Sequence, residues 1–464
     1  MSKKEYDFTD LILLIGTNPL PNYVVAKYFH ITNKSLKRVW LIYSEKTNFY
    51  EGTVQYAENL KQVMKNEFRN KEVIYMLKNL SDISQANIIE KQVVDNLLKS
   101  NLSGIEKVHL NYTGGTKAMS VHAYRAFERE FGGNFSASYL DARDYNIKFD
   151  KNPDINTGDL RKLIQLEVSD LFSLHNSEII PEDNNREGDY LKSIEDSSRS
   201  ENILRFIAKL ADQNKLLDLR NWFTAANMDK SDNNDSEQAG SLFDKPKSTD
   251  VKDTKKIIDN RLSNFTHKDN PELFSLLSLF PDNDKFCDKD GKWLYDNFGI
   301  TGKANNSKYL KEFLNGKWLE AYVAWVLKQQ TGEEKNIITN VNLGTKNKDT
   351  NSGSKKFEID VLVKNGYQIC GISCGTAVKY EKGKEKLSNT LKSKGFEVIL
   401  RSSQIGGEEA RSVLVTLLNP KLAKNLENDL KAATGAGQDK FIVLGRDDLP
   451  AKNMLKKLQE HIYE

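Results

Sequence analysis

The run Val108-His109-Leu110-Asn111-Tyr112-Thr113-Gly114-Gly115-Thr116-Lys117-Ala118-Met119 carries the densest chemistry in this sequence. A short apolar strand ends in a Thr-Gly-Gly-Thr-Lys turn, and the turn opens a helix. Glycines admit a ligand to the backbone because no Cβ stands in the way. The first amides of a helix lack intrahelical partners and favour an anion. Thr113, Thr116 and Lys117 add hydroxyl donors and a positive charge, so Thr113, Gly114, Gly115, Thr116 and Lys117 read as a phosphate cradle. The spacing is not the GxxxxGK[ST] of a P-loop.

A second group of residues is acidic. Glu358 and Asp360 stand two apart in Phe357-Glu358-Ile359-Asp360-Val361-Leu362, a strand-like stretch in which alternate residues share a face. Two carboxylates so placed repel unless a cation or hydrogen bonds compensate. Glu320 lies in Trp318-Leu319-Glu320-Ala321-Tyr322-Val323-Ala324-Trp325, a helix apolar nearly all round, where a carboxylate needs a partner. Oxygen ligands of this kind suit hard divalent ions such as Mg²⁺ or Mn²⁺. The same residues also fit a solvated strand face and a buried glutamate held by backbone or lysine.

These residues need elements to position them. From about Asp10 to Phe149 strands and helices alternate, which predicts a mostly parallel, doubly wound α/β sheet. Its first strand, Leu11–Ile15, ends at Gly16-Thr17-Asn18-Pro19-Leu20-Pro21-Asn22, and its second, Val39–Tyr43, at Ser44-Glu45-Lys46-Thr47. Ligands bind at the carboxyl ends of such strands. Gly16, Thr17, Asn18, Pro19, Leu20 and Ser44 therefore join the TGGTK residues in one candidate ligand site. From about Leu160 to Asn306 the pattern is irregular and mostly helical, with a polar insertion at about 229–256. From about Asn315 a second α/β domain follows. It has a helix at Trp318–Lys328, strands at Ile337–Leu343, Glu358–Val363 and Gln368–Ser373, and a long helix from about Glu381.

At 464 residues the chain has room for two or three domains, and no apolar run approaches the roughly 18 residues of a membrane span. The N-terminus MSKKEYDFTD has no apolar signal core, and three cysteines make no disulfide framework, so reducing cytoplasm is the expected location. A formal net charge of +3 does not suit a duplex-coating protein, so any nucleic-acid contact must come from a local patch such as Lys379 to Arg401.

GTNPLPN, NYTGGTKAM, GKWLEAYV, FEIDVLV and YQICGIS, in that order, resemble the motifs of CARF-domain effectors of type III CRISPR systems that carry a restriction-like PD-(D/E)xK endonuclease domain. The resemblance covers most of the chain outside the polar insertion. It implies a Rossmann-like CARF domain over residues 1–155, a connecting region over 156–306 and a restriction-endonuclease-like domain over 307–464. It further implies a cyclic oligoadenylate activator, cyclic tetra-adenylate, bound across the two-fold axis of a homodimer. The implied activity is metal-dependent cleavage of DNA or RNA in antiviral defence. In that family the strand after the E-x-D pair carries E-x-K. Here it reads Ser373-Cys374-Gly375. The catalytic set implied is then Glu320, Glu358 and Asp360, with Glu320 and Asp360 holding Mg²⁺ or Mn²⁺, Ser373 as a weak substitute ligand, and a lysine supplied from downstream, Lys386 being the candidate. The same departure leaves open a sensor whose second domain binds nucleic acid or a protein without cutting. Relatives that cut their own activator suggest a third role, with Thr113, Lys117 and Ser44 orienting a ribose hydroxyl.

Overall fold

Apolar runs without polar alternation form strands buried on both faces, and the first sheet is built from them. In the computed structural model β1 (Asp10–Leu14) is wholly buried, and β2 (Arg38–Ser44) nearly so. The structure describes residues 6–48, 50–68, 73–99, 104–179, 197–224, 266–285, 312–331, 336–345, 357–381, 383–437 and 439–463, with a few isolated residues between them. With β3 (Ile74–Leu80), β4 (Val108–Asn111), β5 (Phe135–Asp141) and β6 (Asn146–Phe149), the strand order is β3-β2-β1-β4-β5-β6. Neighbours are parallel as far as β5, and β6 returns antiparallel as a terminal hairpin. Helices α1 (Leu20–Thr32), α2 (Val54–Glu67), α3 (Ala86–Leu98) and α4 (Lys117–Phe131) alternate with the strands. This is the Rossmann-like arrangement expected from the sequence. Strand order reverses between β1 and β4, so a crevice opens where their loops leave the sheet.

The chain then adds α5 (Val168–Leu174) and β7 (Ser177–Ile179). β7 pairs with β8 (Ile337–Thr345), so the connecting region contributes an edge strand to the second sheet. Helices α6 (Ser197–Asp212), α7 (Leu216–Thr224) and α8 (Pro271–Leu277) pack in one core with α9 (Trp318–Thr331). β9 (Phe357–Asn365) and β10 (Gln368–Gly375) follow, then a small hairpin, β11 (Lys379–Glu381) with β12 (Lys384–Lys386). α10 (Asn389–Gly406), β13 (Arg411–Thr416), α11 (Pro420–Thr434), β14 (Phe441–Leu444) and α12 (Ala451–Tyr463) complete the chain. The second sheet has the order β14-β13-β10-β9-β8-β7, antiparallel from β7 to β10 and parallel beyond.

Two expectations change here. The long helix begins at Asn389, not near Glu381, because Gly383 at φ 72° turns the preceding lysines into a hairpin. α1 begins at Leu20 rather than Tyr23: Pro19 is its N-cap and Pro21 sits in its first turn, where a missing N–H costs nothing. The polar insertion at 229–256 and the 306/307 boundary lie outside the described residues.

The two sheets share a core. Leu160, Ile164 and Phe172 bury themselves with Val341, Leu362, Ile369 and Ile405 in one apolar cluster. Arg161 Nη1 donates to Gln368 Oε1 (3.0 Å), Gln368 Nε2 donates to the Tyr145 hydroxyl (2.7 Å), and Lys364 Nζ donates to the Leu166 carbonyl (2.9 Å). Among the described residues no helix is long and apolar enough to cross a membrane.

Candidate functional site

The loops after β1 and β4 meet at the switch point. A Cβ on Gly16 would stand 3.1 Å from the Gly115 amide nitrogen, so the two glycine turns lie backbone against backbone. Gly114 is in tighter quarters: a Cβ there would fall on the Leu14 carbonyl oxygen and within 2.7 Å of Asn22 Oδ1. Gly115 adopts φ 75°, where a side chain is strained. These glycines let the cradle seat on the end of β1, which the sequence alone assigned to ligand approach. Thr116 caps α4, its hydroxyl accepting from the Met119 amide (3.2 Å), and Lys117 is the exposed first residue of that helix. Thr17 is exposed and Asn18 half-buried in the facing loop. Asn22, not singled out by its sequence pattern, is wholly buried and donates to the Leu14 carbonyl (3.1 Å). Its Oδ1, directed at Gly114, has no hydrogen-bond partner.

Four expected ligand residues turn inward instead. Ser44 is 1 % exposed, and its hydroxyl and amide both engage Thr53 Oγ1 (3.2 and 3.0 Å). Thr113 donates to Asn111 Oδ1 (2.8 Å) and accepts from the Leu140 amide (2.6 Å), tying β4 to β5. Pro19 is buried and Leu20 is in the core because α1 starts there. The residues at the mouth are therefore Gly16, Thr17, Asn18, Gly114, Gly115, Thr116 and Lys117.

The acidic group assembles in the second sheet, unevenly. Asp360 is buried and accepts at Oδ2 from the Cys374 amide (2.7 Å), the Ser373 hydroxyl (3.0 Å) and Lys394 Nζ (3.4 Å). Glu320, on α9, is partly buried, and burial together with the Asp360 charge pushes its carboxyl from 4.5 up to about 8. Glu358 is exposed, and its charge adds least to that shift. Regular alternation would set Ile359 and Val361 on one face. They enter different apolar clusters, because β9 changes face at Asp360, opposite Asn340 at φ 53°. Asp360 goes inward there and Glu358 stays at the rim.

Lys386 is exposed in the β11–β12 hairpin, opposite Lys379. The lysine bonded to Asp360 is Lys394, from the second turn of α10, which also donates to the Cys374 carbonyl (2.6 Å), while Lys317 adds positive charge beside Glu320. Burial alone would pull its ammonium down, but Asp360, Cys374 and Glu320 outweigh burial and hold it above the ordinary lysine value. Gly375 leaves room for the α10 side chains that pack against the end of β10. A Cβ at this position would collide with the end of the Leu391 side chain and would lie 3.7 Å from the Lys394 stem. α10 fills that space and delivers the ammonium from its own side. A surplus of lysines on Lys379 to Arg401 was visible in the sequence. Which one reaches the acids depends on α10 starting after the hairpin.

Among the described residues no group of three or more His, Cys, Asp or Glu side chains is arranged to hold a metal. Asp360 and Glu320 do provide hard carboxyl oxygens, and a cation there would displace the proton that burial and the Asp360 charge hold on Glu320. Mg²⁺ needs no more than one or two protein carboxylates when water and substrate oxygens complete its shell. All three cysteines are buried thiols.

A mostly parallel sheet with two glycine turns meeting at its switch point makes the first domain Rossmann-like. More particularly, residues 11–168 match the family model of the Card1 CARF domain. No curated protein matches the chain. Among solved structures, the protein VC1899 from Vibrio cholerae aligns with a TM-score of 0.62 at 13% identity, covering 97% of this chain and 98% of that one. Can2 from Sulfobacillus thermosulfidooxidans, solved in complex with cyclic tetra-adenylate, aligns with a TM-score of 0.54 at 14% identity, covering 96% and 98%. At these identities the likeness is one of fold, and it extends over both sheets.

Proposed function

We propose that this protein is a cyclic-oligoadenylate-activated, metal-dependent nuclease of type III CRISPR defence, with cyclic tetra-adenylate as activator and DNA or RNA as substrate. Support for the sensing half is the match of residues 11–168 to a CARF family, together with the cradle at the β1/β4 switch point. In a homodimer, two cradles related by a two-fold axis present Thr116 and Lys117 to a ring of phosphates. The ligand-loop assignment (Gly16, Thr17, Asn18, Gly114, Gly115, Thr116, Lys117) belongs to this reading.

The catalytic half rests on one observation: buried Asp360 and half-buried Glu320 share a corner with Lys394. Asp360 and Glu320 would hold Mg²⁺ or Mn²⁺, which when bound supplies polarisation of a phosphoryl oxygen and a more acidic water. The Cys374 amide and Ser373 hydroxyl fix the Asp360 carboxylate, so Ser373 acts as a positioning residue. Lys394 sets a positive charge beside the corner where the pentacovalent phosphate gains negative charge. Glu358 at the rim is placed to accept a proton from an incoming water.

The ion pair of Lys394 with Asp360 also favours a second reading, a sensor in which the ammonium takes the place of the cation and no cutting occurs. Cleavage of plasmid DNA and single-stranded RNA with Mn²⁺, with and without cyclic tetra-adenylate, separates the two. Ring-stimulated cleavage that Asp360→Ala abolishes is the expected result. Tight ring binding with no cleavage of either substrate would leave the sensor. Linear products from the ring alone would show activator cutting, for which Thr113 and Ser44, turned inward, are poorly placed.

A further inference from the structure

Asn18 touches both halves of the molecule. Its Oδ1 accepts from the Leu20 amide (3.2 Å), which fixes the loop after β1. Its Nδ2 donates to Glu409 Oε2 (3.3 Å), in the second domain. The Asn18 amide occupies the space a Cβ on Gly407 would take, and Gly407 itself is at φ 67°. Gly407 and Glu409 form the short turn that closes α10. Of the side-chain hydrogen bonds that cross between the domains among the described residues, this is the one that starts in a ligand loop. The others start from Arg161, Lys364, Gln368 and Arg411, onto partners well away from the cradle.

We propose that the Asn18–Gly407–Glu409 contact is where ring binding is transmitted to the acidic corner. The proposal rests on the reading above and names how that site is regulated. Two rigid connections run from the contact to the corner. The first is α10: Lys394 lies twelve residues before Gly406, about 18 Å along one unbroken helix. The second is β10: Gln368 Nε2 donates to the Glu409 carbonyl (2.7 Å), and the strand it begins ends in Ser373 and Cys374, both bonded to Asp360. Glu409 is buried, with its carboxyl raised above the ordinary value by that burial and steadied by Asn18. A phosphate drawn into the loop after β1 moves Asn18. Glu409 and the close-packed Gly407 must follow or lose the contact, because a buried carboxylate tolerates the loss of its donor poorly. A packed helix responds as a unit, so the shift reaches Lys394 as a change in its distance from Asp360.

The test uses the full chain and residues outside both sites. Glu409→Ala removes the acceptor, Gly407→Ala drives a methyl into Asn18, and Glu409→Gln keeps an acceptor and serves as the rescue. Ring affinity is measured by calorimetry and cleavage with and without ring. Hydrogen exchange over 389–406, with and without ring, gives a readout that needs no catalysis. Wild-type stimulation should fall at least about tenfold in Glu409→Ala and Gly407→Ala, within the usual range of allosteric coupling. Unstimulated cleavage should be retained, and Glu409→Gln should stay near wild type. Ring should alter exchange over 389–406 in the wild type and not in Glu409→Ala. Equal stimulation and equal exchange in Glu409→Ala and wild type would overturn the coupling and leave the nuclease reading standing. A wild type that binds ring without any change over 389–406 would also overturn it. A wild type with no affinity for the ring would overturn both.

Discussion

The ligand cradle and the acidic corner are built on opposite principles. The cradle is local: Gly114, Gly115, Thr116 and Lys117 are consecutive, and the atom that most strictly demands glycine there is the Leu14 carbonyl oxygen at the end of β1. The corner is assembled from distance: Glu320 from α9, Asp360 from β9 and Lys394 from α10 meet across three elements. A local site fails when its own residues change. A distributed site depends on each element leaving room for the others, as Gly375 leaves room for Leu391 and Lys394 of α10.

The sharpest way to break this comparison is to exchange the two lysines. Lys394→Met keeps the stem that packs by Gly375 and removes the charge. Ring-stimulated cleavage is expected to fall by about 10²–10³, the usual cost of removing one electrostatic stabiliser. Lys386→Met in the exposed hairpin should stay within about twofold. The reverse order would return the role to the hairpin. At the cradle, Lys117→Ala should weaken ring binding by about 1–3 kcal/mol, the loss of one charge-assisted phosphate contact. Titrations at low and high salt would check it, and unchanged affinity would remove Lys117 from the site.

Packing offers the next test. Gly114→Ala places a methyl on a main-chain oxygen, whereas Gly375→Ala meets the movable end of Leu391. Thermal unfolding should show a loss of about 1–3 kcal/mol at Gly114 and less at Gly375, because overpacking hurts most where the neighbour cannot yield. Equal losses would show that the cradle backbone gives way.

Glu320 supplies the smallest and most diagnostic effect. Its folded carboxyl titrates at about 8 against an ordinary 4.5, with burial and Asp360 as the causes. The folded state therefore holds that proton more tightly than the unfolded chain. Metal-free stability falls as pH rises from about 4.5 to about 8, and Glu320→Gln should flatten that slope. Mn²⁺ binding below pH 8 should release a proton, readable by calorimetry in buffers of different ionisation enthalpy. No buffer dependence would argue against Glu320 as a ligand.

Much of this was legible in the sequence where physics is local. Apolar runs marked β1, β2 and β4. The Gly-Gly turn marked the switch-point loop. Legibility ended where tertiary context chooses. Ser44 and Thr113 carry hydroxyls suited to a ligand, yet Thr53 and Leu140 claim them. Glu358 and Asp360 alternate as strand neighbours should, yet β9 changes face between them. The lysine cluster is visible, but Gly383 decides which member is in a hairpin and which on a helix. Nothing in the spacing of Asn18 and Glu409 announces that they touch.

The apolar cluster linking Leu160, Ile164 and Phe172 to Val341, Leu362 and Ile369 has a practical consequence. A fragment ending near residue 155 would lose a wall shared with its neighbour and leave oily surface in water. Anyone wishing to turn the first domain into a stand-alone unit would have to bring several strands of the second sheet along, or repaint the exposed seam with polar side chains.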